Sequence, residues 1–354
     1  MALRTFTCTD FRCLSSATLE AHPKYNLIHG PNASGKTSLL EAIAYLGRGK
    51  SFRGAPTERL VRHGCSEFLL FAKLQGASPR GTAVGVRNGR AGLEISVDGD
   101  RSGGAAALAR VLPLQIVDPD VHNLVAGGPE HRRQYLDWIA FHVEQGYLGL
   151  WRRFRRALKQ RNAALRDGDT DELRGWDREF ADLAVEVDAM RVQALGRTLE
   201  SLEATGQRLL GSVVRFEYRR GWGADKSLAE ALAQCLDRDL QTGSTGVGPH
   251  RADLRLIYDE RQARKLVSRG QQKLLACAMI LAASQVAEAK LGQPLLLLLD
   301  DPAAELDAGS LERLMSEVVA LEAQVIATAL HSDARLFPET PARFHVEQGI
   351  LHRG

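Results

Sequence analysis

No uninterrupted apolar run in this chain approaches the ~20 residues that a membrane-spanning helix needs. The leucine run Leu295–Leu299 is far too short. The opening residues, MALRTFTCTD, lack the apolar stretch of an export signal, so a cytoplasmic location is expected. Cysteine is sparse: Cys8, Cys13, Cys65, Cys235 and Cys277 are odd in number and scattered, with no CxxC pair. That pattern excludes a disulfide frame and a zinc site and fits a reduced compartment. Charge of one sign is also lacking. The net charge is +3, so any nucleic-acid binding must come from a local patch or a partner-made surface. Lysine is scarce, 9 residues against 37 arginines. The planar guanidinium fork suits phosphates, although GC-rich codon usage gives the same bias.

What remains is ordinary soluble composition, 44% apolar and 25% charged over 354 residues. That length suggests two or three folding units. There is no internal repeat. Arg4–Leu14 alternates and Tyr25–His29 is a short apolar run, both expected as strands, and Ser38–Leu46 reads as a helix. Residues 66–117 are rich in β-formers with turn dipeptides Asn88-Gly89 and Asp98-Gly99, which predicts an antiparallel meander.

After Gly127-Gly128-Pro129 the pattern turns helical to about residue 210. One apolar stripe comprises Leu150, Phe154, Leu158, Asn162 and Leu165; another comprises Trp176, Phe180, Leu183, Val187 and Met190. Asp167–Asp171 is the turn between them, predicting an antiparallel helical hairpin with helices of roughly 30 Å, a short arm. Residues 129–166 carry nine basic and three acidic side chains; residues 167–210 carry five and eleven. Two readings stay open: the helices pair through complementary charge, or Arg152, Arg153, Arg155, Arg156, Lys159 and Arg161 form a phosphate-facing ridge for nucleic acid. Beyond 211, Arg215–Arg219 and Leu254–Tyr258 read as strands and Gln271–Ala289 as a helix. A buried strand at Leu295–Leu299, a helix at Ser310–Leu321 and a strand at Gln324–Ala329 indicate a parallel α/β sheet. The expected fold class is α/β with a mixed sheet. Its head is built from residues 1–127 and 211–354, and a helical arm, 128–210, is inserted between them.

Three motifs carry chemistry. Gly30-Pro31-Asn32-Ala33-Ser34-Gly35-Lys36-Thr37 fits GxxxxGK[ST] between a strand and a helix. Its backbone N–H groups suit a β-phosphate, Lys36 the β- and γ-phosphates, and the Thr37 hydroxyl a Mg²⁺ ion. The strand Leu295–Leu299 ends in Asp300-Asp301, where Asp300 is placed to hold the metal through water and Asp301 to orient or deprotonate an attacking water. Ser268-Arg269-Gly270-Gln271-Gln272-Lys273 opens a helix 32 residues before Asp300.

That last segment resembles the signature motif of the ABC ATPase superfamily, and Asp300–Asp307 resembles its strand-end acids and D-loop. Six segments further resemble the RecF family of bacterial recombination mediators: Gly30–Ile43, Lys50–Arg53, Leu112–Asp137, Lys159–Arg166, Gly248–Leu254 and Ser268–Lys273. They span essentially the whole chain. The resemblance implies an ABC-type P-loop head, SMC-like, with a helical lobe. It implies an ATP-dependent DNA-binding protein of recombinational repair and replication restart, a slow, DNA-dependent ATPase that dimerises on ATP. Such a protein binds DNA near single-strand/double-strand junctions, works with RecO and RecR, and helps load recombinase at gaps. Lys36, Thr37, Asp300 and Asp301 would act on nucleotide in cis, and Ser268, Gly270 and Gln271 on nucleotide held by the other subunit. Gln115 is a candidate for the Q-loop metal contact, though a strand glutamine is usually only structural. His331 is either a γ-phosphate sensor or a surface-turn residue. His250 and Arg251 match the family with no role derivable from sequence. Transport-type members carry Asp-Glu where this chain has Asp300-Asp301, so slower hydrolysis is expected. A small-molecule phosphotransferase, an SMC-like structural ATPase and a transporter subunit are the competing readings.

Overall fold

The computed structural model describes residues 2–76, 81–258, 261–263, 267–332 and 336–353. Two compact units are present. Residues 1–121 and 292–354 form one; residues 122–291 form the other.

The first unit opens with β1 (Ala2–Phe11), β2 (Leu14–Glu20) and β3 (Tyr25–His29), then α1 (Lys36–Arg48) and α2 (Thr57–Leu60). Next come β4 (Glu67–Gln75), β5 (Thr82–Gly89), β6 (Gly92–Val97), α3 (Gly104–Val111) and β7 (Leu114–Val117). The meander is real for β4 to β6, which join β1 and β2 in an antiparallel sheet of order β2-β1-β4-β5-β6. It ends earlier than expected. The Ala-rich stretch GAAALARV favours helix, and Leu114–Val117, buried on both faces, enters a parallel sheet instead.

The second unit begins with α4 (Asn123–Ala126), α5 (Pro129–Val143), α6 (Tyr147–Asp167) and α7 (Thr170–Leu210). The hairpin turn forms as expected: Gly168 takes φ 69°, and the Asp169 carboxylate accepts the Asp171 and Glu172 N–H groups at 3.0 and 2.9 Å. The second helix, however, runs 41 residues, about 60 Å, twice the expected arm. β8 (Val214–Arg219), α8 (Leu228–Thr242), β9 (Asp253–Tyr258) and β10 (Arg261–Gln262) follow, then α9 (Arg269–Leu291). The expected boundaries placed residues 211–291 in the head. They belong instead with the arm, because β8, β9 and β10 form their own antiparallel sheet and α9 packs along α7 and α5. By length and composition alone α9 is apolar enough to cross a membrane, with a mean hydropathy of 1.5 over its best stretch; 67% of that stretch is buried inside the protein, as in a core helix.

The chain returns to the first unit with β11 (Leu296–Leu299), α10 (Ala308–Val319), β12 (Gln324–Ala329), β13 (Ala342–Glu347) and β14 (Ile350–Arg353). The second sheet has order β14-β13-β3-β12-β11-β7, parallel except for the β14 edge. Helix α1 is buried from Leu39 to Gly47, and its apolar residues share one core with both sheets. Phe11, Tyr45 and Phe68 meet there edge to face, with centroids 5.0–6.4 Å apart.

Candidate nucleotide-binding site

The loop between β3 and α1 is held by backbone constraints. Gly30 has φ 152°, and a Cβ there would lie 2.2 Å from the carbonyl oxygen of Val346, so no other residue fits. Gly35 has φ 116° and caps α1 without offering a side-chain acceptor, so the first N–H groups of a buried helix remain open to an anion. Ser34 Oγ is buried with no hydrogen-bond partner. Lys36 donates to the carbonyl oxygens of Gly30 and Pro31 at 2.7 and 2.8 Å, lying back on its own loop. Burial lowers the Lys36 pKa, while Asp301 and Asp300 pull it back up.

The opposite wall is the C-terminal edge of β11 and β12. The hydroxyl of Thr37 donates to Asp300 Oδ1 at 3.1 Å, and Thr328 donates to the same oxygen at 2.8 Å. Thr328 Oγ1 also accepts the Asp301 N–H at 2.9 Å, fixing Asp301 at φ 48° just past the strand. Burial raises the Asp300 pKa against the lowering effect of its two threonine donors. Together these groups line a cavity of about 340 Å³. Cys13, Ser38, Arg53, Pro119 and Thr328 complete it and were not anticipated as cleft residues. Arg53 lies in a segment that resembles the family, and Thr328 is the one hydroxyl in the otherwise apolar stretch Val325–Ala329; both signals were visible in the sequence.

Gln115 does not reach the cleft. It pairs in register with Leu297, three residues before Asp300, which is roughly 10 Å below the sheet edge at about 3.3 Å per residue. Its side chain accepts from Arg48 at 3.4 Å. The edge position on β7 belongs to Asp118, because the Asp300 N–H donates to the Val117 carbonyl. Burial, Asp120 and Asp300 push the Asp118 carboxyl up to about 6. His331 is exposed just after β12. Asp307, in the D-loop-like stretch, caps α10 by accepting the Ser310 N–H at 2.8 Å.

Ser268, Gly270 and Gln271 lie in the second unit at the start of α9. Ser268 Oγ accepts the Gln271 N–H at 3.3 Å, and Gln271 Oε1 accepts the Ser268 N–H at 2.9 Å, a reciprocal capping box. On the arm, Arg152, Arg153, Arg155, Arg156 and Lys159 are exposed on one side of α6. Arg161 is not part of that ridge. It is 0% exposed and ion-pairs with Asp177 and Asp239 at 2.8 and 3.1 Å. Seven residues, two helical turns, separate it from Phe154, so it falls on the buried face. His250 and Arg251 acquire a role: both bind the Thr245 carbonyl, which ties the 3₁₀ turn Pro249–Arg251 to the loop after α8.

Residues 2–349 match the family model described as the RecF/RecN/SMC N terminal domain. A DNA replication and repair protein RecF from Edwardsiella ictaluri (strain 93-146) is 38% identical over 356 residues, covering 99% of both chains. The chain belongs to the RecF family. The RecF of Yersinia pestis is likewise 38% identical, over 99% of this chain and 98% of its own. Two solved structures of the recombination mediator protein RecF in the RecFOR pathway, RecF-ATPrS and RecF-ATP, match this RecF-family chain with TM-scores of 0.88 and 0.90 at 25% identity. They cover 99% and 100% of it and are each covered over 97% of their own length. An Smc head bound to a domain of ScpA matches at TM-score 0.61 and 13% identity, which places the α/β fold among SMC-type heads.

The donor set fits ATP with Mg²⁺. Uncapped helix N–H groups, a lysine and a buried partnerless Ser34 hydroxyl suit phosphate, and the oxygens of Thr37 and Asp300 are the hard ligands Mg²⁺ takes.

Proposed function

We propose that this RecF-family chain is an ATP-gated DNA-binding switch of recombinational repair and replication restart. The reading rests chiefly on the convergence of Thr37, Asp300 and Lys36 at the uncapped start of α1. In it, Gly30–Thr37 wrap the phosphates of ATP, and Thr37 and Asp300 hold Mg²⁺. Bound there, Mg²⁺ neutralises charge on the phosphoryl oxygens. Lys36 exchanges its two loop carbonyls for phosphate oxygens. Asp301, held by its N–H on Thr328, orients or deprotonates the attacking water. Its carboxylate is one methylene shorter than a glutamate, which favours slow turnover suited to a switch. DNA-dependence of that turnover belongs to the same reading, as does a cytoplasmic location.

Ser268, Gly270 and Gln271 would close on nucleotide held by a second copy, making ATP part of a homodimer interface. By linkage, a ligand bound across the dimer stabilises it. DNA, gapped or junction-containing, would be gripped through its backbone by the exposed basic side of α6. The two RecF structures come from the RecFOR pathway, which supports RecO and RecR as partners; recombinase loading at gaps belongs to the same reading. Sedimentation with and without ATP tests the switch: ATP should convert monomer to dimer, and an unchanged sedimentation coefficient would refute it. Ser268→Arg should bind ATP yet stay monomeric. Ser268→Asn, which keeps a capping oxygen, separates that result from loss of the helix cap.

A further inference from the structure

Helix α6 carries seven basic side chains, and its one acidic residue, Asp167, is the last of its 21. Trp151 and Arg155 stand one turn apart near its start, about 40° from each other around the helix. The Arg155 guanidinium lies over the Trp151 indole, 5.4 Å from the ring centroid, within the range of a cation–π contact. Trp151 is half-buried and Arg155 is exposed. The indole thus covers one face of the guanidinium and leaves the other to solvent. Two further arginines over aromatic rings show what such a contact does when it is only structural. Arg161, over Phe180, is consumed by Asp177 and Asp239. Arg220, 4.6 Å from the centroid of Trp222, donates to the carbonyl oxygens of Gly223, Ala224 and Lys226 and closes its own loop. Arg155 makes no hydrogen bond or ion pair among the described residues.

We propose that Arg155, held against Trp151, is a stacking platform for an unpaired nucleobase, a role that rests on reading the exposed side of α6 as the DNA-binding face and adds the class of DNA it prefers: single strand where it leaves a duplex. Charge supplies the occupant. Arg152 and Lys159 lie about 60° and 40° from Arg155 around the helix, and both they and Arg156 are exposed beside it. A polyanion that meets these three cations brings its bases within reach of Arg155. In a duplex those bases are stacked on one another and their faces are closed. An unpaired base offers a π-face, and such bases stack on aromatic rings and on guanidinium planes. Arg155 makes the contact. Trp151 is a positioning residue: by holding the exposed side chain in place, it reduces the conformational freedom that binding would otherwise take away. No base edge is read, so the platform accepts any base.

The test compares two DNA ligands with identical phosphates, using full-length protein with ATP and Mg²⁺: a duplex carrying a single-stranded extension, and the same duplex with that extension abasic. The parent should bind the base-bearing extension roughly fivefold tighter or more. Arg155→Lys keeps the charge and loses the plane. It should abolish the preference while leaving the slope of log affinity against log salt unchanged. Trp151→Leu should weaken the preference, and Trp151→Phe, which restores a ring, should recover most of it. Equal affinity of the parent for the two ligands, or an Arg155→Lys protein that keeps the parent's preference, would overturn the platform and leave the ridge as a backbone contact only. A salt slope unchanged by alanine at Arg152, Arg156 and Lys159 would instead remove the DNA-binding face itself, and the platform with it.

Discussion

The hydroxyl of Thr37 donates to Asp300 Oδ1 at 3.1 Å, joining residues 263 positions apart in sequence. The contact links the start of α1 to the end of β11, and Thr328 stabilises it from the neighbouring strand by serving both Asp300 and the Asp301 N–H. Thr328 is 0% exposed, so water cannot replace its hydroxyl. Thr328→Val, nearly identical in shape, should therefore cost about 1–3 kcal/mol in denaturant unfolding, the usual penalty for stranding buried polar groups. Thr328→Ser should recover most of it. A valine variant as stable as the parent would mean that the acidic pair is held by other groups.

Arg161 gives a prediction of opposite character from its helical neighbours. It sits beneath Phe180, with the guanidinium 5.7 Å from the ring centroid, and neutralises Asp239, which is 1% exposed. Arg161→Met leaves that carboxylate buried and unpaired and should cost about 3–5 kcal/mol in global stability. Arg152→Ala, at an exposed position on the same helix, should fall within about 0.5 kcal/mol of the parent. Equal losses for the two would contradict the buried pairing.

The exposed face of α6 is tested by salt rather than by affinity alone. Arg152, Arg156 and Lys159 lie within about 60° of one another around the helix at 100° per residue, and none of them is in an ion pair among the described residues. If each meets a phosphate, replacing all three with alanine should lower the slope of log affinity against log salt by about 2–3, at roughly 0.9 per phosphate contact. The unfolding midpoint should not move. An unchanged slope would place DNA elsewhere on the protein.

The outcome at Arg161 also shows what was legible in the sequence and what was not. The stripe Leu150, Phe154, Leu158, Leu165 was readable as a buried helical face. Four-residue steps from Leu150 put Asn162 at the fourth position of the expected stripe. In fact Arg161 completes the stripe, because Asp177 and Asp239 supply the countercharge from α7 and α8, and such a long-range partner leaves no local trace. Asn162 is half-buried and accepts the Thr245 hydroxyl at 2.7 Å. The phosphate loop and Asp300 were legible because their chemistry demands local spacing and a strand end. Gln115 was misplaced because a four-residue buried strand does not reveal where its edge falls; only pairing with β11 fixes that. The assignment of residues 211–291 to the arm's unit was hidden for the same reason: it depends on what α9 packs against, not on its composition.

His250 supplies a pH dependence. Its Nε2 faces the Thr245 carbonyl at 2.9 Å, and Nδ1 is buried without a partner. Rings of Phe154 and Phe180 lie 6.3 and 6.1 Å away, and the charged neighbours that bear on it, Arg251, Arg133 and Arg161, are all cationic. Burial, reinforced by these guanidinium groups, lowers its pKa to about 4 against the opposing pull of the Thr245 carbonyl. Above pH 6.5 the ring is neutral in both folded and unfolded chains, and the packing is fully realised. As the pH falls from 6.5 toward 4, the unfolded chain takes up a proton that the folded chain refuses, so stability declines by up to about 1.4 kcal/mol per pH unit. Carboxylates contribute their own losses in the lower part of that window, so the informative quantity is a difference curve. His250→Gln retains an N–H donor for Thr245 and cannot titrate. Relative to it, the parent should lose about 3 kcal/mol between pH 6.5 and 4 in denaturant unfolding. Parallel curves for the two proteins would show that His250 accepts its proton in the folded state as readily as in the unfolded one.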